Sequence, residues 1–291
     1  MLFGGCLSRE NDVFLIDIDG ARVDAVNRRG VLIRESDGQT LVTRPRAAVT
    51  AEGLNCIDLV IVFVKAMQSR NALEANRCII GPETYVLSLQ NGAGHETVLR
   101  DFVREENVVI GMTQHNSSIV EPGIIHHGGG GKTYIGPIHG QGNELRALAE
   151  TFNRCGLETE IVADIQPKIW RKLFLNASAS ALTAILQTRL GFVAEDRHAW
   201  SLAVQLIREA VAVSKAEGME FEERNVLDEV RTVLERAKDG YTSIYADIRD
   251  GRRTEVDTIS GAIVAAGKRN HVPTPGHEFV VGLIHALEGR S

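Results

Sequence analysis

Up to about residue 150, short apolar runs alternate with segments of helical spacing. Asp12-Val13-Phe14-Leu15-Ile16-Asp17 is a brief apolar run that ends in an acid, and Gly20 to Arg29 carries Ala21, Val23, Ala25 and Val26 as a short helix would. Ile57 to Val64 is nearly all apolar and β-branched, the pattern of a strand covered on both faces. Tyr85 to Leu89 and Val108 to Met112 repeat it. Strands that alternate with helices predict a parallel sheet built from βα units. Ile124 to His127 and Lys132 to Ile135 read as two strands joined by a turn at Gly128 to Gly131, with no helix directly after them to make a phosphate loop.

From about Gln166 the strand-like runs stop. Pro167 stands where a helix can begin, and Ile169, Leu173, Ala177, Leu182, Ile185 and Leu186 then recur at helical spacing. Ala199 to Glu217 is a second amphipathic run, closed by Gly218. Glu222 to Lys238, Ile244 to Arg249, Glu255 to Lys268 and Pro275 to Glu288 complete the pattern. The expectation is a Rossmann-like α/β domain over residues 1–162 followed by an all-helical domain over 163–291, hinged within Val162 to Ile165. A nucleotide domain joined to a helical one commonly takes its substrate in the cleft between them.

Met1 to Leu7 reads as the first turns of a helix with no strand before it. A dinucleotide-binding fold puts its first strand and a G-x-G-x-x-G turn immediately upstream, and no complete fingerprint occurs within the 291 residues. The natural protein is therefore expected to carry about a dozen more residues, a strand plus its glycine turn.

Composition narrows the class. Hydrophobic residues are 44% and charged residues 24%, as in a soluble globular protein. A net charge of −6 argues against a broad nucleic-acid footprint, and the absence of a long uncharged apolar run argues against a membrane span. The 4 cysteines lie far apart, without ligand or disulfide spacing, so they read as thiols in a reducing compartment and a cytoplasmic protein is expected. No metal is expected. His115, His126 and His127 lack a paired acid at ligand spacing and read as strand or loop histidines. Apolar surface on the helical half would serve a homodimer, although periodicity does not separate an interface from a core.

Lys172, Asn176 and Ser180 are spaced four apart and so line one helix face. Alone, Lys172 is a helix lysine with its stem on the core, Ser243 a helix cap and Glu255 a surface acid. In the first half, Lys65-Ala66-Met67-Gln68 and Gln90-Asn91-Gly92-Ala93-Gly94 each follow a buried-type strand, and such strand ends face the ligand crevice of open α/β sheets. Asn91-Gly92 is equally the signature of an ordinary turn.

The series Lys65-Ala-x-Gln68, Asn91-Gly92-x-Gly94, Gly131 through Ile135-Gly136, Trp170-x-Lys172-Leu173-x-x-Asn176, Leu182-Thr183-Ala184, Ser243 and Arg253-Thr254-Glu255-x-Asp257 resembles the ketopantoate reductase (2-dehydropantoate 2-reductase) family over almost the whole chain. The resemblance implies NADPH-dependent reduction of 2-dehydropantoate to pantoate in pantothenate synthesis, with Lys172 as general acid. It further implies that Asn91, Asn176, Ser243 and Glu255 position substrate or cofactor; beside them Ser180, on the same helix face, is a substrate candidate, and Lys65, Gln68 and Asp17, at strand ends, are cofactor candidates with Asn91. Hydride attack builds charge on the ketone oxygen, which an ammonium can stabilise and protonate.

Three departures qualify this. The glycine fingerprint is missing. Asp17-Ile18-Asp19 stands where the family often places a base for the 2′-phosphate of NADP, and an acid there suits the ribose diol of NAD. Ser180 and Leu190 replace asparagines near the substrate, which would open the pocket to a less polar 2-oxo acid. Reduction of another 2-oxo acid, and a non-catalytic assembly subunit with a decayed nucleotide site, are the alternatives.

Overall fold

The computed structural model describes residues 1–140 and 142–290. The chain divides into two compact units, one of residues 1–90 and 95–165 and the other of residues 91–94 and 166–291.

The first unit is α/β. Its helices are α1 (Leu2–Leu7), α2 (Gly20–Arg29), α3 (Ser69–Ala75), α4 (Glu96–Leu99) and α5 (Arg146–Arg154). Its strands are β1 (Phe14–Ile16), β2 (Val31–Glu35), β3 (Thr40–Thr43), β4 (Arg46–Ala48), β5 (Leu59–Val62), β6 (Tyr85–Ser88), β7 (Val108–Thr113), β8 (Asn116–Glu121), β9 (Ile124–Gly129), β10 (Thr133–Pro137) and β11 (Thr159–Ile161). They form a parallel β1–β4 pair, a sheet of order β11-β10-β7-β6-β5, and a sheet of order β3-β2-β9-β8. Strands β5, β6 and β7 run parallel, as the βα alternation predicts. Their core joins Leu87 and Val109 to Phe152 and Leu157, and takes in Phe3 and Leu7 from α1.

Two differences from the sequence reading have clear causes. The strands on either side of Gly128–Gly131 are present but do not form a hairpin: β9 pairs with β2 and β8, whereas β10 pairs with β7 and β11. The glycines carry the chain from one sheet to another. Strands β3, β4 and β8 escaped the pattern because they are short or exposed, and all six residues of β8 face solvent; β2, although Val31 and Ile33 are buried, was missed as well.

The second unit is helical: α6 (Gln166–Leu186), α7 (Leu190–Glu195), α8 (Arg197–Ala216), α9 (Glu223–Arg236), α10 (Ser243–Arg249), α11 (Ser260–Arg269) and α12 (Pro275–Glu288). Asp196 caps α8 by accepting the N–H groups of His198 and Ala199, both at 2.9 Å. Thr242, not Ser243, caps α10 through the Tyr245 N–H at 3.2 Å. Residues 255–259 are a turn and helix α11 starts only at Ser260, so the expected helix from Glu255 is shortened. Helix α6 is the axis of the unit. Its run Ala177 to Ala184 is buried throughout, small side chains let α8 and α10 approach it, and the Ser178 hydroxyl is satisfied by the Phe174 carbonyl at 2.6 Å.

Phe174 is 1% exposed within this core and packs edge-on against Phe221 at 4.9 Å. Phe174→Ala is expected to lower the unfolding free energy by about 3–5 kcal/mol, measured by urea denaturation; a loss near zero would mean that the helical core closes without it.

Candidate active site

Lys172, Asn176 and Ser180 rise along one face of α6, as their spacing requires. Lys172 and Asn176 are half-buried and Ser180 is buried. Burial pushes the Lys172 ammonium below the ordinary lysine range, and the Glu255 carboxylate pulls it back only in part. Desolvation therefore wins, although a charged partner stands close enough to act. The side-chain amide of Asn176 has no hydrogen-bond partner among the described residues, so it is available to a ligand.

Glu255 sits in a turn that is fastened on both sides. Its carbonyl accepts the Ile259 N–H and the Thr258 hydroxyl, both at 3.2 Å. The Thr258 carbonyl receives the Ala93 N–H at 3.0 Å, and its hydroxyl reaches the Asn91 carbonyl at 3.4 Å. The Asn91–Gly94 loop, although it follows strand β6, thus belongs with the helical unit. Gly92 lies at φ +98°, and a Cβ there would stand 2.1 Å from the Thr258 carbonyl oxygen. Only glycine meets both demands.

Farther along α6, the Thr183 and Thr242 hydroxyls meet at 2.8 Å and both reach the Ser180 carbonyl, at 2.9 and 3.3 Å. This knot fixes the start of α10 beside Ser180 and leaves the Ser243 side chain exposed at its first turn. The structure thus gathers Lys172, Asn176, Ser180, Ser243, Glu255 and Asn91 in the helical unit. Leu190 is half-buried and packs on the helical core.

The remaining sequence candidates lie in the α/β unit. Asp17 follows β1, and its carboxylate accepts the Asp19 N–H at 3.0 Å and bonds the Arg22 guanidinium. Arg22 also faces Asp19 at 3.3 Å, and its Nε is buried with no partner among the described residues. Ile18 is fully exposed. Lys65 and Gln68 follow β5, with Lys65 half-buried and Gln68 exposed.

Two histidine clusters were not legible in the sequence. His127 has its acid after all: Nδ1 lies 2.6 Å from Glu35, and Nε2 lies 3.0 Å from His115. Glu35 is 92 residues away on β2 and becomes a neighbour only because β2 pairs with β9. Burial, then the neighbouring His127, pushes His115 below the usual histidine range. His285 bridges Asp257 and Glu288 at 2.9 and 3.0 Å. No cluster among the described residues could hold a metal ion, and no described helix is long and apolar enough to cross a membrane.

A Rossmann-like sheet unit, with a helical unit that carries a partly desolvated lysine beside a glutamate, defines an oxidoreductase of small molecules. Family profiles described as ketopantoate reductase PanE/ApbA and its C-terminal part match residues 1–140 and 164–288. A 2-dehydropantoate 2-reductase of Halobacterium salinarum is 32% identical over 99% of this chain and 95% of its own length. One from Pyrococcus horikoshii is 30% identical over 99% and 93%. Among solved structures, D-mandelate dehydrogenase with NADH and anilino(oxo)acetate is similar, with a TM-score of 0.93 and 28% identity over 99% of this chain and 95% of the other. The chain belongs to the ketopantoate reductase family, and it is an oxidoreductase of that type.

The Gly92 geometry gives a direct test. Gly92→Ala forces a non-glycine residue into left-handed backbone, which costs about 1–3 kcal/mol before the contact with Thr258 is counted. A clear fall in melting temperature is expected; an unchanged melt would show that the loop relaxes away from the turn.

Proposed function

We propose that this chain reduces a 2-oxo acid to its 2-hydroxy acid with a nicotinamide dinucleotide, 2-dehydropantoate to pantoate being the leading substrate, and that Lys172 is the general acid. The observation that carries this is the Lys172–Glu255 pair, an ammonium whose pKa burial lowers while a carboxylate acts to raise it. Full-length similarity to enzymes named 2-dehydropantoate 2-reductase supports it.

The reduced nicotinamide, when bound, supplies hydride to the carbonyl carbon. Lys172 Nζ donates its proton to the ketone oxygen as charge builds there, so the C=O bond becomes CH–OH with one hydride and one proton added. Asn176, one turn along α6, offers its amide to the substrate carboxylate or hydroxyl. Ser243 and Glu255 complete the set of groups that orient the substrate face.

For the dinucleotide, Asp17 would hold the adenosine ribose, with Lys65, Gln68 and Asn91 as further contacts. The family resemblance points to NADP, whereas the residues around Asp17 favour NADH. The Arg22 guanidinium is already shared by the Asp17 and Asp19 carboxylates, so a 2′-phosphate would meet a net negative surface. A second substrate reading, a less polar 2-oxo acid, rests on the buried Ser180 and the core-packed Leu190, neither of which presents an amide. The D-mandelate dehydrogenase neighbour, held with an aryl-bearing oxo acid analogue, supports that reading.

Cofactor absorbance followed with NADH or NADPH against ketopantoate and a panel of 2-oxo acids tests these points together. Turnover with NADH ahead of NADPH is expected, and the reverse preference would remove the role given to Asp17. Lys172→Ala should lower kcat by about 10²–10⁴-fold while leaving the cofactor Kd nearly unchanged; a rate within a few-fold of the parent would exclude Lys172 as the acid. The acid is present below the Lys172 pKa, so reduction should decline as pH rises through a value lower than that of an ordinary lysine. Glu255→Gln removes the influence that raises this pKa and should move the alkaline limb down; an unmoved limb would separate Glu255 from the lysine.

A further inference from the structure

The turn that carries Glu255 is bound to the C-terminal end of α12 at two places flanking the glutamate. On one side the Thr254 N–H donates to Glu288 Oε1 at 2.7 Å. On the other the Asp257 carboxylate meets His285 Nε2 at 2.9 Å, and His285 Nδ1 in turn meets Glu288 Oε2 at 3.0 Å. Three side chains thus close a loop around residues 254–257. Glu288 is the inner anchor, its side chain only 10% exposed, while His285 is 38% exposed.

We propose that His285, by bridging Asp257 and Glu288, is a positioning residue that holds the Glu255 carboxylate toward Lys172. The argument is one of donors and acceptors. Both ring nitrogens face carboxylate oxygens, which accept only, and a neutral imidazole has a single N–H. Both bonds are made only by the imidazolium. The hydrogen bond to Glu288, followed by that to Asp257, raises His285 above the ordinary histidine range, and these two carboxylates are the charged groups that act on it. Burial pushes Glu288 up, but the Thr254 N–H and His285 outweigh it and hold the carboxyl below its usual value. Loss of the ring proton, or of the ring, releases one side of the turn and lets Glu255 move while the rest of α12 stays packed.

This rests on the assignment of Lys172 as the acid, and the experiment separates the two. The pH dependence of kcat/KM is measured for the parent enzyme, E255Q, H285A, H285Q and the double variant E255Q/H285A, with melting temperatures and cofactor Kd taken in parallel. H285A and H285Q are expected to move the alkaline limb downward, in the same direction as E255Q and by less. The double variant should match E255Q alone, because His285 acts through Glu255. In the parent, the His285 ring should titrate above a free histidine by NMR, and D257N should lower that value. A limb that moves in E255Q but not in either His285 variant overturns the proposal alone, as does a uniform fall in rate across the pH range. A limb unmoved in E255Q overturns both the assignment of the acid and this inference.

Discussion

The site depends on a contest between desolvation and one opposite charge. Lys172 projects from a helix whose neighbouring positions are packed into the core, and its ammonium loses hydration as a result. Glu255 returns part of that stabilisation and no more. Burial weakens the hold of the lysine on its proton, and the carboxylate works against that effect. The proton affinity of Lys172 thus depends on a turn far away in sequence, so the packing of the helical unit sets the electrostatics of the proposed acid.

Much of the remaining structure can be understood as support for that packing. The small residues of α6 let its neighbours come close, and the Ser260 hydroxyl just after the turn reaches the Ala177 carbonyl at 3.5 Å. Hydroxyls of Thr183 and Thr242 lock the start of α10 to α6, and Thr258 ties the Asn91 loop to the same turn. These are short polar links in mostly apolar surroundings, where each is worth more than on a wet surface.

The sequence carried the elements that have strong periodicity. The strands at Val60, Leu87 and Val109 and the amphipathic helices of the second half could be read directly, and so could the Lys172–Asn176–Ser180 face, although β5 is a half-buried edge strand and not covered on both faces. What it concealed were partnerships across long separations. His127 finds its acid 92 residues away on β2, and His285 bonds Asp257 28 residues away. The glycine run at 128–131 resembles a tight turn because local composition cannot say which sheet each flanking strand joins. Glu255 appeared to begin a helix because turn residues with apolar neighbours mimic the first turn of one.

The four residues from Asn91 to Gly94 count with the helical unit although the chain on either side of them runs in the α/β unit. The helical unit is therefore not one uninterrupted stretch of the gene. A recombination event that exchanged only the segment after residue 165 would import a turn without the backbone strap that grips it.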